Sequence, residues 1–382
     1  MKKKILIITP NLSTGGTNSS LSCLYDELKD IYDIDVFAMS HHGHADVSFC
    51  NVLLPEHKIL SLWNSVFDEL DSKRDKLLCT IVKLIKRVAI MCNIGLENVI
   101  YSHSLKRLCC IKYNTIISYQ EGAATKFVSL SEMSHKVAWV HCDYDNWNPV
   151  YRIEEQRIYE EFSQVICVSN YTASVFNKRF NLIHKAIGIH NLQNMQLIQT
   201  KARVLLDDIR WDETAYNIIS IGRINPVKRF TEIPQIADEL IRKGYSFKWY
   251  IIGPEFDVAE TEKIKNGIKN YHIENNVMLM GAKSNPYPFF AHADLYVCLS
   301  ESEACPMVFN EAKCLGTPII TTDFGSSYEF IKSDVDGIIT TREELPSVIG
   351  KCIKNGKTIR RHIYDGNNAN VEILEKILNV ID

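Results

Sequence analysis

The sequence predicts an α/β protein built from two domains, each with a parallel sheet. Short apolar, strand-like segments alternate with helix-like segments along the whole 382-residue chain, and this alternation is typical of parallel sheets covered by helices. A chain of this length suffices for two domains of ordinary size. A new strand opens at Tyr216, after a turn-like stretch at residues 191–194. We therefore place the domain boundary near residues 192–212.

The individual elements follow from the spacing of apolar residues. In the first half, the predicted strands are residues 5–9, 35–39, 115–118, 137–141 and 164–168, and the predicted helices are residues 18–29, 152–162 and 171–179. In the second half, the predicted strands are residues 218–221, 248–252, 277–280, 295–299 and 318–322, and the predicted helices are residues 229–243, 260–269 and 307–315. Residues 357–382 also have a helical pattern. We expect two Rossmann-like domains, an N-terminal one of residues 1–195 with the C-terminal helix 365–382, and a C-terminal one of residues 205–364.

Composition narrows the function class. Apolar content of 46% and charged content of 23% are those of a soluble globular protein. The net charge of −3 gives no field that would attract nucleic acid, so no nucleic-acid partner is expected. The twelve cysteines are scattered without metal-ligand spacing, which favours reduced thiols in a cytoplasmic protein and no metal site. Residues 1–10 are better explained as a first buried strand than as a signal peptide.

Two cations follow the strand at residues 218–221. Arg223 and Lys228 lie five positions apart, with Pro226 stiffening the loop between them. The carboxyl edge of a parallel sheet is where ligands bind in open α/β folds. Fixed cations there can stabilise the negative charge of a diphosphate leaving group. Two solvated loop cations are the plainer alternative, because such residues are common.

Two carboxylates occupy a strand–loop–helix junction in the same half. Glu303 lies in the loop and Glu311 lies about one turn into the helix, eight positions later. Pro306 suits the first turn of that helix and Gly316 suits its end. The free N–H groups of the helix N-terminus form an anion site beside the loop. Cations for a diphosphate and carboxylates for hydroxyl groups together predict a nucleotide-sugar ligand.

The chain resembles the retaining glycosyltransferases of family 4, also called glycosyl transferases group 1, which have the GT-B fold. The resemblance covers nearly the whole chain, and its most specific part is the combination of Arg223 and Lys228 with the two glutamates. The matching stretches are residues 14–16, 165–169, 189–191, 221–228, 277–281, 293–300, 303–311 and 315–323, together with Phe176.

The resemblance implies roles for residues of the second half. Arg223 and Lys228 would hold the donor diphosphate, and Glu303 would contact the donor sugar. Glu311 would bind the ribose, and Gly281 and Lys283 would lie beside the base. The main-chain groups beside the sugar would belong to Ala304, Cys305, Pro306, Met307 and Val308. The family needs no metal, since the cations replace it, so the only co-substrate expected is the nucleotide-diphosphate sugar.

Residues of the first half are assigned to the acceptor and to the reacting centre. Gly15 and Gly16 would let the backbone approach the acceptor and the donor phosphates, with Thr17 beside them. His141 ends a predicted strand, where the family places a histidine or aspartate near the reacting carbon; a core or surface histidine is the alternative. Glu121 ends another strand and is a candidate for the acceptor side.

The sequence departs from the family pattern at two places. Ala304 and Cys305 replace the usual glycine and aromatic residue after the first glutamate, which reshapes the sugar pocket. The loop after the first strand lacks the usual glutamate and arginine at residues 18 and 19, which leaves the acceptor open.

These residues predict a retaining, metal-independent transferase that moves a hexose or N-acetylhexosamine, most simply from a uridine-diphosphate sugar, to a glycan. We expect the two domains to face each other across a cleft that closes and excludes water. A sugar-nucleotide epimerase, a phosphorylase and a non-catalytic subunit stay open as alternatives. A phosphorylase would need a lysine for pyridoxal phosphate in a matching segment, and none is found. Loss of Lys228 or Glu311 would have favoured the non-catalytic subunit, and both are present.

A basic amphipathic pattern at residues 72–90 stands out in an otherwise acidic chain. Its cations are Lys73, Arg74, Lys76, Lys83, Lys86 and Arg87, and Lys106, Arg107 and Lys112 follow. Such a helix can lie in an anionic membrane interface; the alternative is a surface helix whose apolar face lies in the core. The membrane interpretation of residues 73–112 implies a lipid-linked acceptor of capsule or O-antigen assembly and a peripheral location on the inner face of the cell membrane.

Overall fold

The computed structural model describes residues 2–12, 15–40, 49, 51–55, 58–65, 70, 72–147, 153–204, 214–333, 335–356 and 366–382. Four parts of the predictions lie outside these ranges, namely Thr14, Arg152, and residues 205–213 and 357–365. The chain divides into two compact units, Met1–Leu192 with Val371–Asp382, and Gln193–Asn370.

Parallel strands form the sheet of the first unit. Within the described residues they are β1 (Lys4–Thr9), β2 (Asp33–Ala38), β3 (Val52–Leu53), β4 (Thr115–Ser118), β5 (Lys136–Val140), β6 (Gln164–Cys167) and β7 (Ala186–Gly188). Their order is β3-β2-β1-β4-β5-β6-β7, and every neighbouring pair is parallel. β1 is almost wholly apolar and buried, as a strand covered on both faces must be. β2 and β3 lie on one side of β1, and β4 lies on its other side. The strand order therefore reverses between β1 and β4.

Helices cover both faces of this sheet. They are α1 (Gly16–Leu28), α2 (Lys58–Asn64), α3 (Lys73–Met91), α4 (Leu96–Leu108), α5 (Ala123–Ser129), α6 (Tyr144–Trp147), α7 (Ile153–Glu160) and α8 (Asn170–Phe180). The C-terminal residues belong to the same unit. The Tyr32 hydroxyl donates to the Asp382 carboxylate at 2.8 Å, and the Thr115 hydroxyl donates to the Ile381 carbonyl oxygen at 3.0 Å.

The second unit has the same architecture, a parallel sheet with helices between its strands. Its strands, within the described residues, are β8 (Tyr216–Ile221), β9 (Phe247–Ile252), β10 (Val277–Gly281), β11 (Leu295–Cys298), β12 (Ile319–Thr322) and β13 (Ile338–Thr340). Their order is β10-β9-β8-β11-β12-β13, again all parallel. Its helices are α9 (Met195–Ala202), α10 (Ile233–Arg242), α11 (Val258–Asn270), α12 (Tyr287–His292), α13 (Met307–Cys314), α14 (Ser327–Phe330), α15 (Leu345–Asn355) and the start of α16 (Gly366–Ile381). The strand order reverses between β8 and β11.

The predicted fold class is confirmed, since both units are Rossmann-like with parallel sheets. One helix start is wrong. The pattern predicts a helix from residue 229, but the structure has a 3₁₀ turn at Phe230–Glu232 and α10 begins only at Ile233. Two local causes act together. Arg229 adopts a left-handed conformation with φ of 54°, which no helix continues through, and Pro234 fits only the first turn of a helix.

The helix predicted at residues 72–90 is found as α3, one residue displaced at each end. The Ser72 side chain accepts the Asp75 N–H at 3.0 Å, which caps the start of the helix. No helix within the described ranges combines the length and the apolar content that crossing a bilayer requires.

Candidate active site

The loops that follow β8 and β11 meet in the middle of the second sheet. These two strands pair directly, with Ile218 opposite Leu295. The strand order reverses between them, and such a switch point forms the ligand crevice of open parallel sheets. Residues 222–228 follow β8 and residues 299–303 follow β11. The two predicted motifs therefore lie at one place in the fold.

Lys228 is positioned by a short, well-capped turn. The Asn225 side-chain oxygen accepts the Lys228 N–H at 3.1 Å, and Pro226 opens the 3₁₀ turn that ends at Lys228. The Glu301 N–H donates to the Val227 carbonyl oxygen at 2.9 Å. That last bond ties the loop after β11 to the loop after β8, so the cation and the carboxylate motif are held together through the backbone.

Glu303 and Lys228 form an ion pair through Glu303 Oε1 and Lys228 Nζ. Each of the two side chains is only 18% exposed. The Ser300 hydroxyl donates to the same oxygen at 2.7 Å, and the Ser326 hydroxyl donates to the Glu303 main-chain oxygen at 2.6 Å. Glu303 Oε2 makes none of the hydrogen bonds found in the described part of the chain. A held carboxylate with one oxygen left over suits a ligand hydroxyl.

The charge state of Lys228 follows from two opposed effects. Burial acts to lower the pKa of its ammonium, but the negative charge and hydrogen bond of Glu303 outweigh burial, and the pKa of Lys228 lies above its usual value. The positive charge of Arg223 acts in the opposite sense on the same group. Lys228 is therefore charged at neutral pH. Arg223, the second predicted cation, lies close enough to lower the pKa of Lys228.

Arg223 is more exposed than Lys228 and leans on an aromatic ring. Its guanidinium carbon lies 5.4 Å from the centroid of the Phe256 ring, which is within the range of a cation–π contact. The ring itself is 67% exposed. Arg223 therefore contacts the Phe256 ring but stays exposed to solvent. A cation that binds an incoming anion needs that exposure.

Glycines let three strand ends approach closely at this edge. Gly253, after β9, lies so near Gly222 that a Cβ on it would collide with the Gly222 carbonyl oxygen. The Gly253 N–H donates to the Gly281 carbonyl oxygen at 2.9 Å. Gly281 ends β10 with φ of +66°, a left-handed conformation that favours glycine, and Lys283 follows it, partly buried. The predicted base-side residues therefore lie at the same edge as Lys228.

α13 begins directly after the Glu303 loop, as predicted. Ala304 and Cys305 lie in that loop, Pro306 precedes the first helical residue, and the Met307 N–H donates to the Cys305 carbonyl oxygen at 2.9 Å. That N–H is therefore already used inside the turn. Val308 is the second residue of the helix, which ends before Gly316, where φ is +69°. The start of a helix favours anions because its N–H groups and dipole point outward.

Glu311, on α13, is a carboxyl group without a charged partner. No hydrogen bond or ion pair to its carboxylate is found among the described residues, and burial raises its pKa to about 7. Tyr296 and Cys314 are the titratable neighbours that feel its charge. Glu311 is therefore half protonated near neutral pH until a ligand supplies hydrogen-bond donors.

We expect the pKa of Glu311 to make ligand binding pH-dependent. In the role that the family resemblance implies for Glu311, ribose hydroxyls would donate to the carboxylate and stabilise its ionised form. Binding of a nucleotide-diphosphate sugar should then release a proton, and affinity should rise from pH 6 to pH 8. Without ligand, the raised pKa favours the folded state at acidic pH, a contribution that is lost as pH rises through about 7 and is worth up to about 3 kcal/mol.

Calorimetric titrations at several pH values in buffers of different ionisation heat would measure this proton release. Glu311→Gln should bind more weakly and with no pH dependence of its own. It should also lack the decline in stability between about pH 4.5 and pH 7 that we expect of the unsubstituted protein. Equal pH profiles for the two proteins would show that Glu311 does not contact the ligand.

The first unit holds the other predicted residues at the ends of β4 and β5. Glu121 Oε2 accepts the backbone N–H of His141 at 2.8 Å. Burial lowers the pKa of His141 to about 3, so its imidazole is neutral at physiological pH. Its Nε2 is buried and has no hydrogen-bond partner in the described part of the chain. Burial raises the pKa of Glu121, partly offset by the His141 N–H.

The loop after β1 lies next to the same strand ends. Gly15 caps α1, Gly16 is its first residue, and Thr17 accepts a hydrogen bond from the Ser20 hydroxyl at 3.1 Å through its carbonyl oxygen. The Ser20 and Tyr119 hydroxyls lie 2.9 Å apart, which links α1 to the end of β4. The structure thus places Gly15, Gly16 and Thr17 with Glu121 and His141 in the first unit.

Sequence reasoning missed the residues that hold the site in place. Ser300 and Ser326 bind Glu303, Asn225 caps the Lys228 turn, and Phe256 supports Arg223. Their positions in the sequence could have indicated these residues. Each of them follows a strand at the carboxyl edge of the sheet or lies close to a predicted cation. Nothing in the spacing alone shows which of them reaches across to another loop.

Most of the second unit is similar to a known protein family. Residues 204–367 match the family model described as Glycosyl transferases group 1. An uncharacterized glycosyltransferase of Methanocaldococcus jannaschii is 26% identical over 222 residues, which is 58% of this chain and 49% of that protein. The capsular polysaccharide biosynthesis glycosyltransferase CapM of Staphylococcus aureus is 25% identical over 178 residues, 44% of this chain and 46% of that protein. The matched stretches thus span less than half of these relatives.

A solved structure extends the likeness to the whole fold. A TarM variant of Staphylococcus aureus, in complex with fondaparinux, α-GlcNAc-glycerol and UDP, superimposes with a TM-score of 0.72 at 15% identity and covers 100% of both chains. At that identity the likeness shows the fold alone, which is GT-B. Residues 204–367 of this chain are therefore similar to the family glycosyl transferases group 1.

Proposed function

We propose that the protein transfers a sugar from a nucleotide-diphosphate sugar to a hydroxyl group of a glycan. The observation that carries this proposal is the ion pair of Lys228 with Glu303 at the switch point between β8 and β11. A charged lysine next to a carboxylate with a spare oxygen offers one group for phosphate and one for a sugar hydroxyl. The family of residues 204–367 supports the same activity.

The proposed donor-side roles are those that the resemblance implies, and the surroundings of each group support them. Lys228 and Arg223 hold the diphosphate, Lys228 from a fixed and mostly buried position and Arg223 from an exposed one. Glu303 Oε2 accepts a hydroxyl of the sugar, and Glu311 accepts the ribose hydroxyls. Residues 304–308 supply main-chain groups and the helix start near the phosphates, while Gly281 and Lys283 lie on the side of the base.

The chemical step requires no covalent intermediate with the protein. The bond between the anomeric carbon and the diphosphate oxygen breaks, and a bond from the same carbon to the acceptor oxygen forms. The leaving phosphate takes the acceptor proton on the same face of the sugar, so the anomeric configuration is retained. Arg223 and Lys228 stabilise the charge that grows on the leaving group, and they make a metal ion unnecessary.

The first unit supplies the acceptor side. Gly15, Gly16, Thr17 and Glu121 bind the acceptor, and His141 lies near the reacting carbon. A histidine that stays neutral and buried cannot repel the cationic character of the reacting sugar. Its unpartnered Nε2 can accept a hydrogen bond from a hydroxyl group or donate one, according to tautomer.

For the biological context we propose assembly of a surface polysaccharide on a lipid-linked acceptor at the inner face of the cell membrane. CapM is named for capsular polysaccharide biosynthesis, and the TarM variant is described with UDP. These names support a uridine donor that carries a hexose or an N-acetylhexosamine.

Transfer assays with a panel of radiolabelled uridine-diphosphate sugars would test the activity. We expect transfer to a membrane-lipid extract or slow release of free sugar with at least one donor, unaffected by a metal chelator. Nuclear magnetic resonance of the product should show the anomeric configuration of the donor. No turnover with any nucleotide-sugar would contradict the proposal, and an inverted product would contradict its stereochemical part.

A further inference from the structure

α3 presents an uncovered apolar surface. Large apolar side chains, which we call the apolar stripe, are 46–86% exposed along one side of this helix: Leu77, Ile81, Leu84, Ile85, Val88 and Met91. Their spacing of three and four positions places them on a single face. Exposed apolar residues that stand alone need no explanation, but a contiguous stripe marks an interaction surface.

The same helix has a separate inner face. Cys79 is buried in a cluster with Leu62 and Leu70, and Val82 packs against that cluster. Ala89 is also buried. The core therefore contacts a different side of α3 and leaves the apolar stripe exposed.

Charge decides which partner fits. Between Lys73 and Met91 the helix carries six basic residues and one acidic residue, Asp75, in a chain whose net charge is −3. Asp75 is occupied at the start of the helix, where it accepts from the Ser72 hydroxyl at 2.8 Å. The partner of α3 should therefore be apolar at the stripe and negatively charged beside it.

The basic residues lie where such a partner would meet them. Lys76, Lys83 and Arg87 are spaced seven and four positions apart, so they run along one border of the stripe. Lys73 and Arg74 lie in the first turn. Lys86, by contrast, faces the protein, since its ammonium lies 3.3 Å from the Glu97 carboxylate and 5.1 Å from the centroid of the Trp63 ring.

We propose that α3 lies in the plane of an anionic lipid interface, with the apolar stripe inserted among the acyl chains and its cations on the lipid phosphates. An amphipathic helix with basic residues beside an apolar face binds membranes in this way, and each cation near the surface adds to the attraction. This surface belongs to the first unit, and its binding does not depend on the sugar-transfer activity.

A second copy of the chain is the competing partner. Leu77, Ile81, Leu84, Val88 and Met91 have the four–three spacing of a coiled-coil seam. Two copies of α3 side by side would, however, bring their cations together with no facing carboxylates. Like charges on both helices oppose such a pairing, whereas lipid phosphates neutralise them.

Vesicle sedimentation with the full chain tests the proposal. We expect binding to vesicles of equal phosphatidylglycerol and phosphatidylcholine, much weaker binding to phosphatidylcholine alone, and loss of affinity as salt is raised. Leu84→Ser with Val88→Ser should weaken binding about tenfold for each substitution. Arg74→Gln with Arg87→Gln should weaken it about fivefold for each.

Matched controls separate insertion from general effects. Ile183 is 74% exposed in the same unit but outside α3, and Arg157 is an exposed cation of α7; Ile183→Ser and Arg157→Gln should bind vesicles like the unsubstituted protein. Lys228→Met, which disables the proposed donor site, should also bind vesicles normally. If Leu84→Ser and Val88→Ser left the affinity for vesicles unchanged, that result would overturn the proposal. So would a dimer that those substitutions dissociate in a protein that does not bind vesicles.

Discussion

Replacing Lys228 with methionine should lower kcat/KM by about two to three orders of magnitude. Methionine keeps much of the apolar stem of the side chain but removes the ammonium that pairs with Glu303 and that we propose binds the leaving diphosphate. The change should also weaken binding of the nucleoside diphosphate, because a fixed, mostly buried cation is lost. Steady-state kinetics with the active donor and calorimetry with UDP would measure the two effects.

The same substitution leaves Glu303 mostly buried and without its cation. Removing one partner of such a pair destabilises a protein by about 3 kcal/mol, because the remaining charge is uncompensated. The double variant Lys228→Met with Glu303→Gln should recover most of that stability without recovering activity. This separation shows whether lost turnover is chemical or merely reflects unfolding.

The neighbouring ion pair supplies a matched control. Arg229 Nη2 lies 2.6 Å from Glu301 Oε2, and these side chains are 42% and 51% exposed. Arg229→Met changes an adjacent cation in the same loop but should reduce activity less than about threefold, since exposed pairs contribute little. A loss as large as that of Lys228→Met would mean that the loop, and not the Lys228 ammonium, matters for turnover.

Glu303→Gln should cost about two orders of magnitude in kcat. Like Lys228→Met, it should also destabilise the protein by about 3 kcal/mol, because the Lys228 ammonium stays mostly buried without its anion. Glutamine can still accept the Ser300 hydroxyl, so the loop should stay in place. What is lost is the negative charge opposite Lys228 and the second carboxylate oxygen available to the sugar. The expected signature is a larger loss with the complete donor sugar than with UDP, which lacks the sugar.

Glu301→Gln is the control for that variant, two residues away on the same loop. It should retain nearly full activity. If Glu303→Gln weakened binding of UDP and of UDP-sugar equally, Glu303 would not be the sugar contact.

The sequence predicted the two motifs of the proposed donor site because both follow strands, and residues after parallel strands share one edge of the sheet. It did not predict that β8 and β11 are neighbours. Ile218 of β8 pairs with Leu295 of β11, although β9 and β10 lie between these two strands in the sequence. That strand order depends on the packing of the whole unit. The supporting bonds of Ser300 and Ser326 depend on the same tertiary arrangement.

Three short strands were not predicted from the sequence, for a physical reason. β3, β7 and β13 have two or three residues each, too few to show a periodic pattern. The helix of residues 72–90 illustrates another limit. Apolar periodicity predicted the helix, but it could not show that α3 has two apolar faces of which only one, around Cys79, packs on the protein.

Titration of UDP into the unsubstituted protein, Lys228→Met and Arg229→Met would show whether Lys228 and its neighbours form a diphosphate site. We expect saturable binding at one site per chain, with affinity lowered at least tenfold in Lys228→Met and unchanged in Arg229→Met. The absence of saturable UDP binding, or equal affinity in all three proteins, would contradict it.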